Sequence, residues 1–194
     1  MTFPLPEGWE PLTIAELAGT GGLVADGDWI ESKDQDPDGD VRLIQLADVG
    51  DGEFLDRSSR YLTSRKAKEL QCTRLEIGDL LIARMPDPLG RACLFPGVGQ
   101  PSVTAVDVFI WRPGKKAADP RWLMHTINSP QVRKHLQNIA GGTTRQRVSG
   151  GNLKRLALPT PPKPIQLRIV TKIDGLLARI KGARNELGEC PGLC

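Results

Sequence analysis

The chain has 194 residues, of which 39% are hydrophobic and 25% are charged, and its formal net charge is +3. That length suits one domain of ordinary size plus an appended element. It holds no run of about 18 apolar residues, which a membrane-spanning helix requires. Residues 141–187 carry a net charge of +8, which leaves −4 for residues 1–140 once Glu189 is counted. This asymmetry favours a polyanion or an acidic protein as the partner of the second half.

The ends of the chain and its cysteines indicate a cytoplasmic protein. Residues 1–6 lack the basic and apolar regions of a signal peptide. The four cysteines are scattered, except for Cys190 and Cys194. His125 and His135 lie far from that pair in the sequence, so a zinc site there would lack two ligands. We therefore expect free thiols and no metal.

The first 40 residues predict one short helix and a surface loop. Thr13 and Glu16 stand at the spacing of a capping box, and Gly19 is placed to end the helix that they begin. The glycine-rich stretch that follows, residues 19–22, lacks the Lys-Ser/Thr of a phosphate loop and is interpreted as a turn. The polar, acidic stretch over residues 26–40 predicts a surface loop.

Residues 41–111 predict strands joined by turns and short loops. The expected strands lie at 41–46, 80–84, 91–95 and in a long β-rich run over 102–111. Asp51-Gly52 predicts a turn toward a further strand at 53–55, and Thr63 or Ser64 caps a short helix that ends at Leu70. Short connections favour a mixed, mostly antiparallel sheet, so the predicted fold class is α+β.

Two capped helices follow the strands. Asp119 with Pro120, and Ser129 with Pro130, each supply an N-cap and a proline at the first helical position. The two histidines lie on these helices without partners nearby in the sequence. A surface or packing role is therefore favoured for them over a catalytic one.

A glycine-flanked basic loop over residues 141–151 leads to a predicted strand at 153–158 and then to four prolines within 159–164, which prevent a helix there. Beyond Pro164, apolar residues recur at alternating steps of four and three, the seam of a coiled coil. The seam residues are Ile169, Ile173, Leu176, Ile180, Ala183 and Leu187. We predict one domain over residues 1–160 and a spacer or dimerisation helix with a tail over 161–194.

Five groups of residues occur in order along the chain: Leu5-Pro6-Glu7-Gly8-Trp9, Gly78-Asp79-Leu80-Leu81-Ile82-Ala83-Arg84 with Leu89-Gly90-Arg91, Gly142-Thr143-Thr144-Arg145-Gln146, Leu156-Ala157-Leu158-Pro159, and Gln166-Leu167-Arg168-Ile169-Val170. Together they resemble half of the DNA-specificity subunit of a type I restriction–modification system. The likeness extends through Glu186. Such subunits usually contain two target-recognition domains, each followed by a long helix, and the two helices pair antiparallel. Where the family commonly has Glu before the Gln, this chain has Ile165.

The resemblance implies a target-recognition domain without catalysis of its own. The implied partners are double-stranded DNA, a methyltransferase subunit and a restriction subunit. S-adenosylmethionine, ATP and Mg²⁺ would belong to those partner subunits, and this chain would hold no cofactor. The tail after Leu187 does not resemble the opening of a second domain. The chain is then either a natural half-subunit that forms a homodimer through its helix or a fragment of a longer subunit.

Basic, amide and hydroxyl side chains are the groups that grip phosphate and read base edges. The predicted DNA-binding residues are Arg84, Arg91, Thr143, Thr144, Arg145, Gln146, Arg147 and Lys154. For Arg84 and Arg91 the alternative is a surface salt bridge with Asp79 or Asp87. For Arg145 and Arg147 the alternative is contact with a partner subunit. The residues predicted to meet a second helix are Ile169, Ile173, Leu176, Ile180 and Leu187.

Two other functions stand as alternatives. A nuclease or methyltransferase would need motifs that the sequence lacks, including an Asn-Pro-Pro-aromatic sequence, a Walker-type loop and an acidic-x-Lys pair after Pro86-Asp87. A stand-alone dimeric coiled-coil DNA-binding regulator would need no partner subunits. The target itself cannot be deduced, because base choice depends on loop geometry.

Overall fold

The computed structural model describes residues 5–86, 88–142 and 146–188, and in the last helix it describes side chains as far as residue 183, apart from residue 181. Its strands are β1 Glu10–Thr13, β2 Leu23–Asp26, β3 Val41–Ile44, β4 Arg60–Leu62, β5 Leu80–Ala83, β6 Ala92–Leu94, β7 Ser102–Thr104, β8 Val108–Arg112 and β9 Ala157–Thr160. Its α-helices are α1 Ile14–Leu17, α2 Ser64–Glu69, α3 Pro120–Ile127, α4 Pro130–Ile139, α5 Gly150–Arg155 and α6 Lys163–Gly188.

The strands of the described ranges form three sheets. β1 and β9 make an antiparallel pair, and β2, β8, β5 and β6 make a four-stranded antiparallel sheet in that order. The third sheet has the order β4-β3-β7, in which β3 and β7 run parallel. Short helices and mostly antiparallel sheets confirm the predicted α+β class.

The central strands β5 and β8 are buried on both faces, and their side chains alternate between two hydrophobic clusters. Leu80 and Ile82 belong to the main cluster, which also includes residues of α1, α3 and α5. Leu81 and Ala83 point the other way, into a second cluster. This period of two is the alternation that a strand imposes on its side chains. A third cluster joins α2 to the β4-β3-β7 sheet.

Local capping signals are confirmed at four helices. Thr13 and Glu16 form the predicted capping box around the start of α1. The side chain of Thr63 caps α2, that of Asp119 caps α3 and that of Ser129 caps α4. These caps need only residues within one turn of the helix, which is why the sequence alone located them.

The strand predicted over 153–158 is wrong, because Leu153 lies in α5 and strand β9 begins only at Ala157. The hydroxyl of Ser149 accepts a hydrogen bond from the backbone N–H of Asn152 at 3.1 Å, which caps the helix. The helix start also lies against the carboxylate of Asp26, where a Cβ on Gly150 would meet Oδ1 at 2.1 Å. Glycine therefore permits this approach, and α5 forms before the chain extends into β9.

Two other strand predictions differ from the structure, and some strands were missed. The run over 102–111 is two strands in different sheets, divided by a turn in which the N–H of Val108 donates to the carbonyl of Ala105 at 3.0 Å. The strand expected at 53–55 is only an isolated bridge between Val49 and Phe54. Strands β1, β2 and β4 were not predicted, because each has only three or four residues and gives too short a pattern.

Helix α6 confirms the predicted long helix, and only its first half is docked on the domain. The buried side chain of Gln166 donates to the carbonyl of Pro161 at 2.9 Å and accepts from the N–H of Asp119 at 2.7 Å. Val170 is 3% exposed and belongs to the main cluster. Beyond Asp174 the described side chains are exposed. The domain boundary at residue 160 stays a prediction.

Candidate nucleic-acid interface

The basic loop is closed at its base by backbone hydrogen bonds. Gly141 and Arg147 exchange two N–H to carbonyl bonds, at 3.0 and 2.8 Å. Gly142 has a φ of 97°, a left-handed conformation that glycine adopts without strain. Val148, just after the loop, is buried and its N–H donates to the carbonyl of Arg84 at 3.0 Å. The loop is thus anchored to the end of β5. Thr143, Thr144 and Arg145, predicted to bind DNA, lie outside the described residues.

The two described residues at the end of this loop reach solvent. Gln146 is exposed. Arg147 is partly exposed and lies 2.9 Å from the carboxylate of Asp107, and it donates to the carbonyl of Val106 at 3.3 Å. These contacts fix the guanidinium of Arg147 above the turn between β7 and β8. Part of it stays accessible, so a role for Gln146 and Arg147 in binding DNA stays a prediction that this geometry allows.

Arg84, in contrast, is only 5% exposed and is held by the domain itself. It donates to the carbonyls of Val148 and Val106, both at 3.0 Å, and it pairs with Asp26 at 2.8 Å. Burial lowers the pKa of its guanidinium. Arg84 therefore joins the basic loop, the end of β2 and the β7–β8 turn, an arrangement that favours a structural role over direct contact with DNA.

Asp79, one of the two alternative partners of Arg84, pairs with a different arginine. Asp79, fully buried, accepts two hydrogen bonds from Arg112, both at 2.7 Å, while Arg84 pairs with Asp26. The pairing of Asp79 across the sheet was not visible in the sequence, because Arg112 lies on the neighbouring strand β8. Asp87, the other candidate, lies outside the described residues.

Arg91 also makes structural hydrogen bonds. Its guanidinium donates to the carbonyl of Val49 at 2.6 Å and to that of Leu46 at 2.8 Å. Weaker bonds reach the carbonyls of Pro86 and Pro88, at 3.4 and 3.3 Å. The side chain thus joins the loop before β6 to the loop after β3, and its predicted contact with DNA stays untested.

Lys154 lies on α5, in the segment expected to be a strand, and it is half-buried. The start of α5 is tied to the basic loop through Ser149, which immediately follows the anchored Val148. Lys154 is therefore close to the basic loop in sequence but lies on a helix, and its contact with DNA stays a prediction.

The seam of α6 divides into two parts. Ile169 and Ile173 line an apolar groove of about 580 Å³, whose other walls include Trp9, Trp122 and Val132. Further along, Leu176 is 50% exposed and Ile180 is 51% exposed. Leu177 is 52% exposed on the flank of this stripe. The side chain of Leu187, the last predicted contact, lies outside the described residues.

Asp174 marks the point at which α6 leaves the domain. It forms an ion pair with Arg121 and lies 3.3 Å from His125 Nε2, both on α3. Burial, followed by the charge of Arg121, lowers the pKa of His125. The packing of the ring against α6 agrees with the predicted packing role.

No metal-binding cluster of three or more His, Cys, Asp or Glu side chains is found in the part of the chain that the structure describes. Among the same residues, the helices are too short or too polar to cross a membrane. Cys72 and Cys93 are free thiols. Cys190 and Cys194 lie outside the described ranges.

Sequence reasoning missed the walls of the apolar groove. Trp9 lies in the segment before β1, and Trp122 lies on α3. Both line the groove together with Ile169 and Ile173 because α6 packs against α3. The heptad indicated that the helix would find a partner. It did not indicate that the domain itself supplies part of that partner surface.

The architecture is shared with solved structures. An α+β domain followed by a long helix also occurs in the HsdS subunit from Thermoanaerobacter tengcongensis, with a TM-score of 0.69 at 18% identity over 96% of this chain and 42% of that one. A chain from a structural study of complex assembly and conformational transition of the type I R-M system gives a TM-score of 0.71 at 19% identity, covering 96% of this chain and 43% of that one. These likenesses show that the chain shares its fold with both solved structures.

The sequence itself then identifies the family. The model of the type I restriction modification DNA specificity domain matches residues 6–187, so the chain belongs to that family. The specificity subunit of the type I restriction enzyme MjaIX from Methanocaldococcus jannaschii is 24% identical over 191 residues, which are 95% of this chain and 42% of that subunit. The chain therefore spans about two fifths of the length of this relative.

Proposed function

We propose that the chain is a sequence-specific DNA-recognition unit of a type I restriction–modification complex, reads one half of a two-part target, and performs no catalysis itself. The match of the specificity-domain family over residues 6–187 carries this proposal. The methyltransferase and restriction subunits, with their S-adenosylmethionine, ATP and Mg²⁺, are its proposed partners.

The anchored basic loop is the proposed reading surface. Its base is closed by the hydrogen bonds between Gly141 and Arg147, and buried Arg84 holds it against the β7–β8 turn. A loop fixed at its base presents Gln146 and Arg147 with little ordering cost on binding. Arginine can bind phosphate or guanine, and glutamine can pair with adenine.

The exposed half of α6 is the proposed assembly surface. Leu176 and Ile180 continue the stripe that begins at Ile169 and Ile173 in the apolar groove. Exposed apolar stripes of this kind mark sites of association. A second copy of this chain, running antiparallel, offers an identical stripe, so we propose a homodimer with one recognition domain at each end.

Such a dimer would set the spacing between the two half-sites. From Ile165 to Leu187 the helix is roughly 35 Å long at 1.5 Å per residue, which is about one turn of DNA. A two-fold dimer held apart by this helix would read an inverted repeat with a fixed gap. Contact of the same stripe with the methyltransferase subunit is the alternative outcome.

The absence of catalysis is tested with the purified chain, S-adenosylmethionine, ATP and Mg²⁺. We expect duplex DNA to be bound but neither methylated nor cleaved. Turnover by the isolated chain that disappears on substituting a single residue would show that the chain is an enzyme and would overturn the proposal.

A further inference from the structure

A second basic surface lies on the side of the domain that carries β4 and α2. Residues 57–68 contain five cations and no Asp or Glu, although residues 26–56 have a net charge of −9. Four of the five side chains, Arg57, Arg60, Arg65 and Lys68, are exposed. We call these four the β4–α2 basic surface.

Three carboxylates near this surface are engaged by other groups. Asp34 and Glu69 pair with Lys66, the fifth cation of the segment, at 3.8 and 3.0 Å. Asp40 accepts hydrogen bonds from the backbone N–H and hydroxyl of Ser64. In contrast, the four side chains of the β4–α2 basic surface make no hydrogen bond or ion pair with any residue that the structure describes.

The loop that presents Arg57 is fixed on both sides of that residue. Buried Arg42 pairs with Asp56 at 2.9 Å and also donates to the carbonyl of Ser58. Fully buried Asp48 accepts the N–H of Ser58 at 2.7 Å, as well as its hydroxyl. The two neighbours of Arg57 are therefore held by a buried arginine and a buried carboxylate.

This fixed loop includes an unusual backbone conformation. Asp56 has a φ of 46°, which is uncommon for a residue other than glycine. Such conformations persist where the surrounding structure determines them, and they cluster at functional sites. Here the strain and the buried polar groups direct the side chain of Arg57 into solvent.

The four cations suit a polyanion in their number and spacing. They lie within one strand, one short helix and the loop before them, a distance of roughly 20 Å at the rise of 3.3 Å per strand residue and 1.5 Å per helical residue. B-DNA of that length carries about twelve phosphates, at one per 1.7 Å of helix axis. A duplex of that length therefore offers a phosphate to each of the four exposed, unpaired cations.

We propose that the β4–α2 basic surface contacts DNA phosphates and forms a second anchor in addition to the basic loop. The inference rests on the proposed function, since it assigns a further surface to the same DNA. Phosphate contacts fix register and orientation without reading bases. The basic loop then selects the bases, while the β4–α2 basic surface holds the duplex in place.

The test is the salt dependence of binding to a random-sequence duplex, measured by fluorescence anisotropy for the full chain. The triple variant Arg57→Gln, Arg60→Gln, Arg65→Gln should lower the slope of log K against log salt by about 2.7, at 0.9 per lost phosphate contact. The matched control, Lys115→Gln, Lys116→Gln, Lys134→Gln, removes three exposed cations elsewhere and should leave the slope nearly unchanged.

The outcomes separate this inference from the proposed function. An unchanged slope in the triple variant, with the loop variants still impaired, would overturn the second surface and leave DNA recognition intact. The proposal for the β4–α2 basic surface would also be overturned if the salt slope of the control fell as much as that of the triple variant. The same holds if the triple variant kept its salt slope and lost only binding of the methyltransferase subunit. A wild-type chain that binds no DNA would overturn the proposed function itself.

Discussion

Replacing Leu176 and Ile180 with Glu should dissociate the proposed dimer without unfolding the domain. Both side chains are about half exposed in the single chain, so pairing would bury the exposed half of each. That burial is worth about 1 kcal/mol per side chain, since full burial of Leu or Ile gives about 1.5–3 kcal/mol. Two such residues from each copy contribute about 4 kcal/mol, and their loss weakens dimerisation roughly a thousandfold.

Sedimentation velocity measures this effect directly, and circular dichroism monitors the fold. We expect dimers of the unmodified chain at tens of micromolar and monomers of the Leu176→Glu, Ile180→Glu variant. At room temperature both should give the circular dichroism spectrum of the folded domain, because substitutions at exposed positions change the stability of the single chain by about 0.5 kcal/mol or less. The variant loses only the additional stabilisation that association gives to the native state. The control Thr171→Glu, Ala178→Glu adds the same charge on exposed positions opposite the seam and should remain dimeric. A monomeric unmodified chain, or a dimeric Leu176→Glu, Ile180→Glu variant, would refute the reasoning.

Three further outcomes follow from the site. Changing Arg145 and Arg147 to Ala should lower the salt slope of DNA binding by about two; an unchanged affinity and slope would assign both arginines to another role. In urea denaturation, Arg84→Ala should lower the free energy of unfolding by about 2–4 kcal/mol, because two carbonyls and Asp26 lose their partner. Arg84→Lys should recover only part of that lost stability. Burial raises the pKa of Cys72 and of Cys93 to about 11. In a Cys190→Ser, Cys194→Ser background, both thiols should therefore react slowly with a disulfide reagent at pH 8 and rapidly in urea. Fast reaction in the native state would contradict that burial.

The sequence located those elements whose signals are local. The capping box at Thr13, the proline-started helices at Pro120 and Pro130, and the heptad of α6 each depend on residues within a turn or two of one another. The continuous apolar run from Leu80 to Ala83 likewise predicted a strand, and both of its faces are buried.

Elements and contacts that depend on distant residues were missed. The apolar spacing of Leu153, Leu156 and Leu158 suits a strand or a helix, and the choice was settled by the Ser149 cap and by the approach of the helix to Asp26. Arg84 resembled a surface arginine because its three partners come from other parts of the chain. The parallel pairing of β3 with β7 had no signal in either strand alone.

The central claim is that this chain chooses the DNA target of a larger complex. The most direct measurement reconstitutes the chain with the methyltransferase subunit from the same organism and maps methylated sites by sequencing. We predict one two-part motif, an inverted repeat with a fixed gap, that is absent when the chain is omitted and loses its preference when Arg145, Gln146 and Arg147 are replaced. Methylation that is the same with and without the chain would contradict the claim.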